Sequence, residues 1–282
     1  MGYFYVLLIV LGFTGVAFFT KLGTLKGGTP VSMMVSLSFF GALYTSVFLL
    51  LQGCDGVSLK VVLLAVAGGV GAISATLLLA RAMVLGHYGL SVAIFSASFV
   101  LQVLASFAIF GEVPSIPGLL LVLSAIFMMA LSGSKDAKGT EQKKKFWIWF
   151  ATIISAFFLN GIAIIAQLLM SKEPGNGGFV FIFILYLSGG LILLPSMLKS
   201  ARPNRAVYIF GALAGLGSVT GIFMTLKSLE TLSPNVVFPV YFTGYMMAAA
   251  LLSVMYFREK TSLLGYAGMA IGLAGIVILC IK

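Results

Sequence analysis

Apolar residues in this chain do not recur with a helical or a strand period; they run on in blocks, broken by short polar turns. Ten blocks can be read, at about 3–20, 30–51, 61–80, 90–110, 116–132, 146–170, 178–198, 206–226, 236–257 and 263–281. A helix needs about 20 apolar residues to cross a bilayer, and most of the blocks come close to that length. A barrel strand would alternate polar and apolar positions over roughly ten residues, and these runs do not alternate. Backbone amides in lipid must be satisfied internally, so continuous apolar blocks predict helices. The expected fold class is an all-α polytopic membrane protein with ten transmembrane helices and no soluble domain.

Composition supports this. Of 282 residues, 61% are hydrophobic and 9% charged, whereas soluble domains carry about 25% charged residues. The net charge of +10 would suit nucleic acid, but Lys and Arg lie in the turns, where they set membrane orientation. No nucleic-acid partner is expected. Only MGY precedes the first block, without a basic leader, so that block is expected to remain a span. Cys54 and Cys280 give neither a disulfide framework nor metal spacing. One histidine, scattered acids and the lack of a phosphate-binding G-x4-G-K-[ST] loop predict no enzyme, no metal, no cofactor and no ATP motor.

The chain repeats itself. FGEVPSIPG at 110–118 and FREKTSLLG at 257–265 both read F-x-E-x-x-S-x-x-G. At an offset of 146, Gly15 meets Gly161, Ala17 meets Ala163, Leu22 meets Leu168, Gly69 meets Gly215, Gly71 meets Gly217, Ser74 meets Thr220 and Arg81 meets Lys227. At the hinge the offset is 147: Glu112 meets Glu259, Ser115 meets Ser262 and Gly118 meets Gly265. The expected organisation is a five-helix unit at 1–133, a charged, flexible linker at 134–145 and a second unit at 146–282. Five is odd, so the second unit enters from the opposite side of the membrane. Such inverted repeats carry a substrate site near the midplane between them. Ser115 and Ser262 read as N-caps of spans five and ten, with the hinge acids near those positive helix ends.

Thirteen of the 17 Lys and Arg fall on the side of the odd-numbered loops and four on the other. The positive-inside tendency then puts odd loops in the cytoplasm and both termini outside. In KKKFWIWF, 143–150, three lysines precede Trp147 and Trp149, expected at headgroup level.

Two five-span halves, Gly111-Glu112 and Arg258-Glu259 hinges after spans four and nine, and short turns before those spans resemble the drug/metabolite transporter superfamily, and within it the EamA-like ten-helix carriers. The resemblance implies a basket of ten helices, a central cavity and transport of small metabolites such as amino acids or drug-like compounds, with efflux the expected direction. It also implies both termini in the cytoplasm, opposite to the charge count.

Intramembrane ionisable groups usually mark function, and here the mid-span regions lack them. The coupling candidates are therefore peripheral: Glu230, with Lys227 three residues earlier, and His87 in the turn LGHYG. Each reads equally as structural, Glu230 as half of a helical ion pair and His87 as an interfacial residue. The candidate substrate contacts are neutral. Thr14 and Asn160 are related by the offset of 146, and each precedes a glycine. Span four carries Ser96, Ser98 and Gln102; span nine carries Pro239, Tyr241, Thr243 and Tyr245. A buried Asn serves as interhelical glue or as a solute contact. Tyr241 and Tyr245 share a helix face and serve packing or stacking. Gly211/Gly215, Gly217/Gly221 and Gly268/Gly272 are small-xxx-small faces, the last a candidate homodimer contact.

The expected function is a secondary transporter of a small neutral or zwitterionic organic solute, by alternating access, in the cell (inner or plasma) membrane among membrane lipids. The alternatives are a lipid-headgroup or lipid-linked sugar translocase of the same fold, and a non-transporting membrane interaction protein.

Overall fold

A computed structural model describes residues 2–52, 57–86, 88–110, 115–135, 140–173, 177–198, 203–259 and 262–280. Those residues form eleven α-helices and no strand: α1 (Gly2–Leu25), α2 (Pro30–Gln52), α3 (Leu59–Leu85), α4 (Tyr88–Ser96), α5 (Phe99–Phe110), α6 (Ile116–Lys135), α7 (Thr140–Met170), α8 (Gly178–Leu198), α9 (Arg205–Leu229), α10 (Pro234–Met255) and α11 (Leu263–Cys280). Eight spans, one of them running from α4 into α5, are long and apolar enough to cross a membrane; α6 and α11 contain shorter apolar stretches. Leu50, Leu51, Phe127 and Leu263 lie more than 60% exposed, a surface suited to lipid rather than water. The chain is an all-α, multi-pass membrane protein.

Two boundaries depart from the sequence reading. The fourth block is not one helix. Ser98 N–H donates to Phe95 O at 3.1 Å, Val100 N–H to Ala97 O at 3.0 Å and Leu101 N–H to Ser98 O at 3.0 Å. This run of i→i+3 bonds separates α4 from α5. The linker expected at 134–145 is helical over part of its length: α6 runs to Lys135 and α7 begins at Thr140. Polar Glu141–Lys145 can extend α7 because that turn lies beyond the apolar run, and Glu141 pairs with Lys145 at 3.3 Å.

Lipid provides no hydrophobic drive between helices, so contact depends on small residues that let backbones approach. α1 packs on α9, α3 on α7, α2 on α8 and α6 on α11. At Gly12 a Cβ would stand 2.5 Å from Gly217 O of α9, and at Gly217 one would stand 2.7 Å from Gly12 O. At Gly71 a Cβ would meet Leu159 O of α7 at 2.9 Å. The two glycine pairs of α9 serve different neighbours: Gly211 and Gly215 face α2, and Gly217 and Gly221 face α1. Gly268 and Gly272, considered above for a homodimer, pack on Ala125 and Met129 of α6 within the same chain.

Gly12→Val and Gly71→Val should each destabilise the protein by about 1–3 kcal/mol or more, the range for overpacking a filled interior. Gly15, whose Cβ would meet only Phe19 of its own helix at 3.7 Å, should tolerate alanine. Thermal unfolding in detergent, read by fluorescence or size exclusion, compares the three.

Candidate functional site

The core falls into two clusters. One gathers α4, α10 and parts of α3, α6 and α7; the other gathers α2, α8, α9 and the remaining faces of α3 and α7. Where they meet lies a cavity of about 70 Å³, lined from α1, α2, α3, α4, α7, α8, α9 and α10. Of its lining residues, Phe13, Ile73, Tyr186, Ser218 and Tyr245 sit near the middle of their helices, whereas Phe95 and Gln167 lie within a turn of the ends of theirs. No charged side chain is among the described residues that line it.

Three polar features face this space. Asn160 of α7 donates from Nδ2 to Ser98 Oγ at 2.6 Å. Gly161, next in sequence, lies against Leu101 and brings α5 close. Ser98 itself sits in the break between α4 and α5, so the interrupted helix supplies the acceptor that orients Asn160. Tyr186 of α8 donates its hydroxyl to Ser218 Oγ of α9 at 2.7 Å. Gln167 of α7 is 5% exposed, and its Oε1 has no hydrogen-bond partner. An unpaired buried carbonyl oxygen costs about 1–3 kcal/mol, and a solute or water that donates to it relieves that cost. Aromatic rings form the opposite wall: Tyr241 lies 4.3 Å from Phe242 and 5.7 Å from Phe13, centroid to centroid.

The sequence candidates divide around this cavity. Asn160, Tyr241 and Tyr245 line it. Ser98 touches it through Asn160. Thr14, Ser96, Gln102 and Thr243 do not line it; Ser96 Oγ donates to Val92 O of its own helix at 2.8 Å, and Gln102 is fully buried. Glu230 ends α9 and pairs with Lys227 at 2.8 Å on an exposed surface. His87 and Glu112 lie outside the described residues. Ser262 precedes α11 and accepts from Gly265 N–H at 3.4 Å, as an N-cap does.

Pattern reading missed several residues. Gln167 and Thr76 are single polar positions in apolar runs and give no periodic signal. Tyr186 and Ser218 are 32 residues apart, and nothing in the sequence pairs them. Trp149 faces into the bundle. It is 3% exposed and donates from Nε1 to Ser91 Oγ at 2.9 Å, whereas Trp147 is 63% exposed. The two indoles are two residues apart, so a helix turns them to opposite sides.

The largest revision concerns Glu259. Its carboxylate does not serve the start of α11. Oε2 accepts from Tyr88 N–H at 2.8 Å, Gly89 N–H at 3.4 Å and Ser253 Oγ at 2.7 Å, which places it on the N-terminus of α4. Oε1 lies 3.4 Å from Lys21 Nζ, and that ammonium also donates to Met83 O at 2.6 Å. Lys21 was counted as a loop charge; it is 9% exposed and lies within α1.

Comparison with known proteins adds the fold alone. No family model matches the chain, and no curated protein matches it. A protein of known crystal structure is similar over 96% of this chain and 95% of its own, with a TM-score of 0.64 at 16% sequence identity.

Tyr186→Phe should cost about 0.5–1.5 kcal/mol of stability, the net worth of one buried hydrogen bond. Glu230→Gln should cost less than about 1 kcal/mol, because exposed ion pairs contribute little. Thermal melts of the two variants against the parent protein check the order.

Proposed function

We propose that the protein is a secondary transporter of the drug/metabolite type, a ten-span carrier of a small uncharged or zwitterionic organic solute that works by alternating access. The observation that carries this reading is the cavity lined from both halves of the chain, with its neutral polar groups and one unsatisfied acceptor among the lining residues. Ligand pockets are mostly apolar, with a few placed polar groups that fix orientation. Here Gln167 Oε1 asks for a donor on the solute, Asn160 and the Tyr186–Ser218 pair set its polar edge, and Tyr241 with Phe242 stacks its flat or apolar part. A full net charge would enter without a counter-ion, which a low-dielectric site penalises heavily.

The repeat supports alternating access through its packing. Exchanging α1 with α7 and α3 with α9 turns the α1–α9 contact into the α7–α3 contact. The details exchange too. Gly217 backs onto Gly12 O and Val16 N, and Gly71 backs onto Leu159 O and Ala163 N, offsets of 146 and 147. Gly215 backs onto Leu37 O of α2, and Gly69 onto Leu185 O of α8. Two copies in opposite orientation can swap packings and so open to either side. By the charge count the odd loops face the cytoplasm, and efflux is the direction we favour. A lipid-headgroup translocase would join a lateral opening to a basic patch. An outward groove of about 450 Å³ between α2, α8 and α9 does exist, but Phe48, Phe179 and Phe223 line it and no basic side chain does.

Purified protein in liposomes, given a panel of neutral, zwitterionic and charged metabolites, should show uptake or counterflow for a member of the first two groups. Gln167→Leu and Asn160→Ala should each lower its transport at least about tenfold, the worth of one good polar contact near 1.4 kcal/mol; Gln167→Leu should leave thermal stability unchanged or raise it, and Asn160→Ala, which loses the bond to Ser98, should cost about 0.5–1.5 kcal/mol. Transport confined to strongly charged compounds would refute the assignment. Glu230→Gln should still transport and exchange.

A further inference from the structure

The ion pairs among the described residues differ in exposure. Lys60–Glu173, Lys145–Glu141 and Lys227–Glu230 each have at least one side chain more than 40% exposed, whereas in Lys21–Glu259 the two are 11% and 14% exposed. The sheltered pair is also the one that gathers most elements. Lys21 belongs to α1 and holds the end of α3 at Met83 O; Glu259 holds the start of α4 and Ser253 of α10. Phe257 closes over the ammonium at 5.7 Å and packs, tilted, against Tyr88 at 4.8 Å. α1, α3 and α4 come from the first half of the chain, and α10 with its following turn comes from the second.

That turn is built to aim the carboxylate. Phe257 N–H returns to Leu252 O and Glu259 N–H to Ser253 O, each at 3.0 Å. Arg258 between them has φ 52°, a left-handed conformation uncommon for a residue with a side chain. Strained backbone of this kind persists where its surroundings fix it, often at switching segments. The cluster sits just beyond the cavity. Leu79 of α3 lines the cavity, and Met83, the acceptor for Lys21, is one turn further toward the loops, about 6 Å along the axis.

The position equivalent to Lys21 in the second half is Gln167 at an offset of 146 and Leu168 at 147. Neither carries charge; Gln167 is among the residues that line the cavity, and its buried Oε1 has no hydrogen-bond partner. The ion pair Lys60–Glu173 at that end ties α3 to the turn after α7, and Lys60 is 65% exposed.

We propose that Lys21 and Glu259 bolt the two halves together on the odd-loop face. The resting carrier is then biased closed on that face. The inference rests on the carrier reading, but its test needs no substrate. Leu79→Cys, with Cys54 and Cys280 replaced by serine, is reconstituted in vesicles and exposed to a membrane-impermeant maleimide from the odd-loop face. A parallel protein with Lys145→Cys, exposed on that face, fixes the sidedness. Lys21→Gln and Glu259→Gln should raise the labelling rate of the thiol introduced by Leu79→Cys at least about tenfold, as expected when a closed state loses its main stabilising contact. Ser253→Ala, a milder loss, should raise it less, Lys21→Arg should keep it low, and Lys227→Gln should leave it unchanged. Unaltered labelling in folded Lys21→Gln and Ser253→Ala proteins would overturn the bolt. If labelling responds but no solute crosses in liposomes, the bolt stands and the carrier reading falls.

Discussion

The arrangement depends on how closely backbones can approach where lipid surrounds them. Lipid tails solvate a leucine as well as another leucine does, so helices gain little from hiding apolar side chains from them. What remains is dispersion between well-fitted surfaces, and fit is best where one partner has no side chain. Gly12 against Gly217 and Gly71 against Leu159 are such places, with main-chain atoms where a Cβ would stand. Those contacts tie α1 to α9 and α3 to α7, and the helices so placed supply Phe13, Ile73, Asn160 and Ser218 to the cavity. The cavity is thus a consequence of tight seams elsewhere: packing that is close at the glycines cannot also be close where large rings meet.

The same solvent sets the rule for polar groups. Within the bundle each must find a partner or be costly. Most do so locally, as Thr45, Thr76 and Thr225 do by donating to carbonyls one turn back. Tyr186, Trp149 and Asn160 do so across helices. Gln167 Oε1 does neither, and neither do Thr14 Oγ1, Thr20 Oγ1, Ser36 Oγ and Ser38 Oγ; of these residues Gln167 is the one that lines the cavity. An acceptor that a folded chain leaves unpaired beside a cavity marks where a donor from outside is wanted, and that is why the functional reading turns on it.

Much of the fold was legible because bilayer thickness imposes a length on each span, and blocks of that length are plain in the sequence. The glycines matched by offset in the sequence, Gly71 with Gly217 and Gly69 with Gly215, each lie against backbone of a neighbouring helix. The break between α4 and α5 was not legible. Ala97 and Ser98 are ordinary in a helix, and the interruption arises where Ser98 serves Asn160 from another helix. For the site, Asn160, Tyr241 and Tyr245 could be read from their types and positions, whereas Tyr186, Ser218 and Gln167 needed the third dimension. Glu259 was misread for a physical reason. Its spacing from Ser262 matches helix-start grammar, but a chain reversal at Arg258 points it at a different helix start, 171 residues away.

On the proposed reading as two inverted copies, the scaffold itself has no direction, because the halves offer the same packing to each side. Direction has to come from the residues in which the copies differ. Lys21 against Gln167 is such a difference: at one position there is an ammonium wedged between a helix end and a carboxylate, and at the other an amide residue that lines the cavity. Removing one member of a sheltered ion pair leaves a charge without compensation, so an ammonium cannot drift into this setting without its acid. Among the described residues Lys21 and Glu259 satisfy that demand together. On the proposed carrier reading, the divergence between Lys21 and Gln167 gives one copy a closing contact and the other a polar group for the solute.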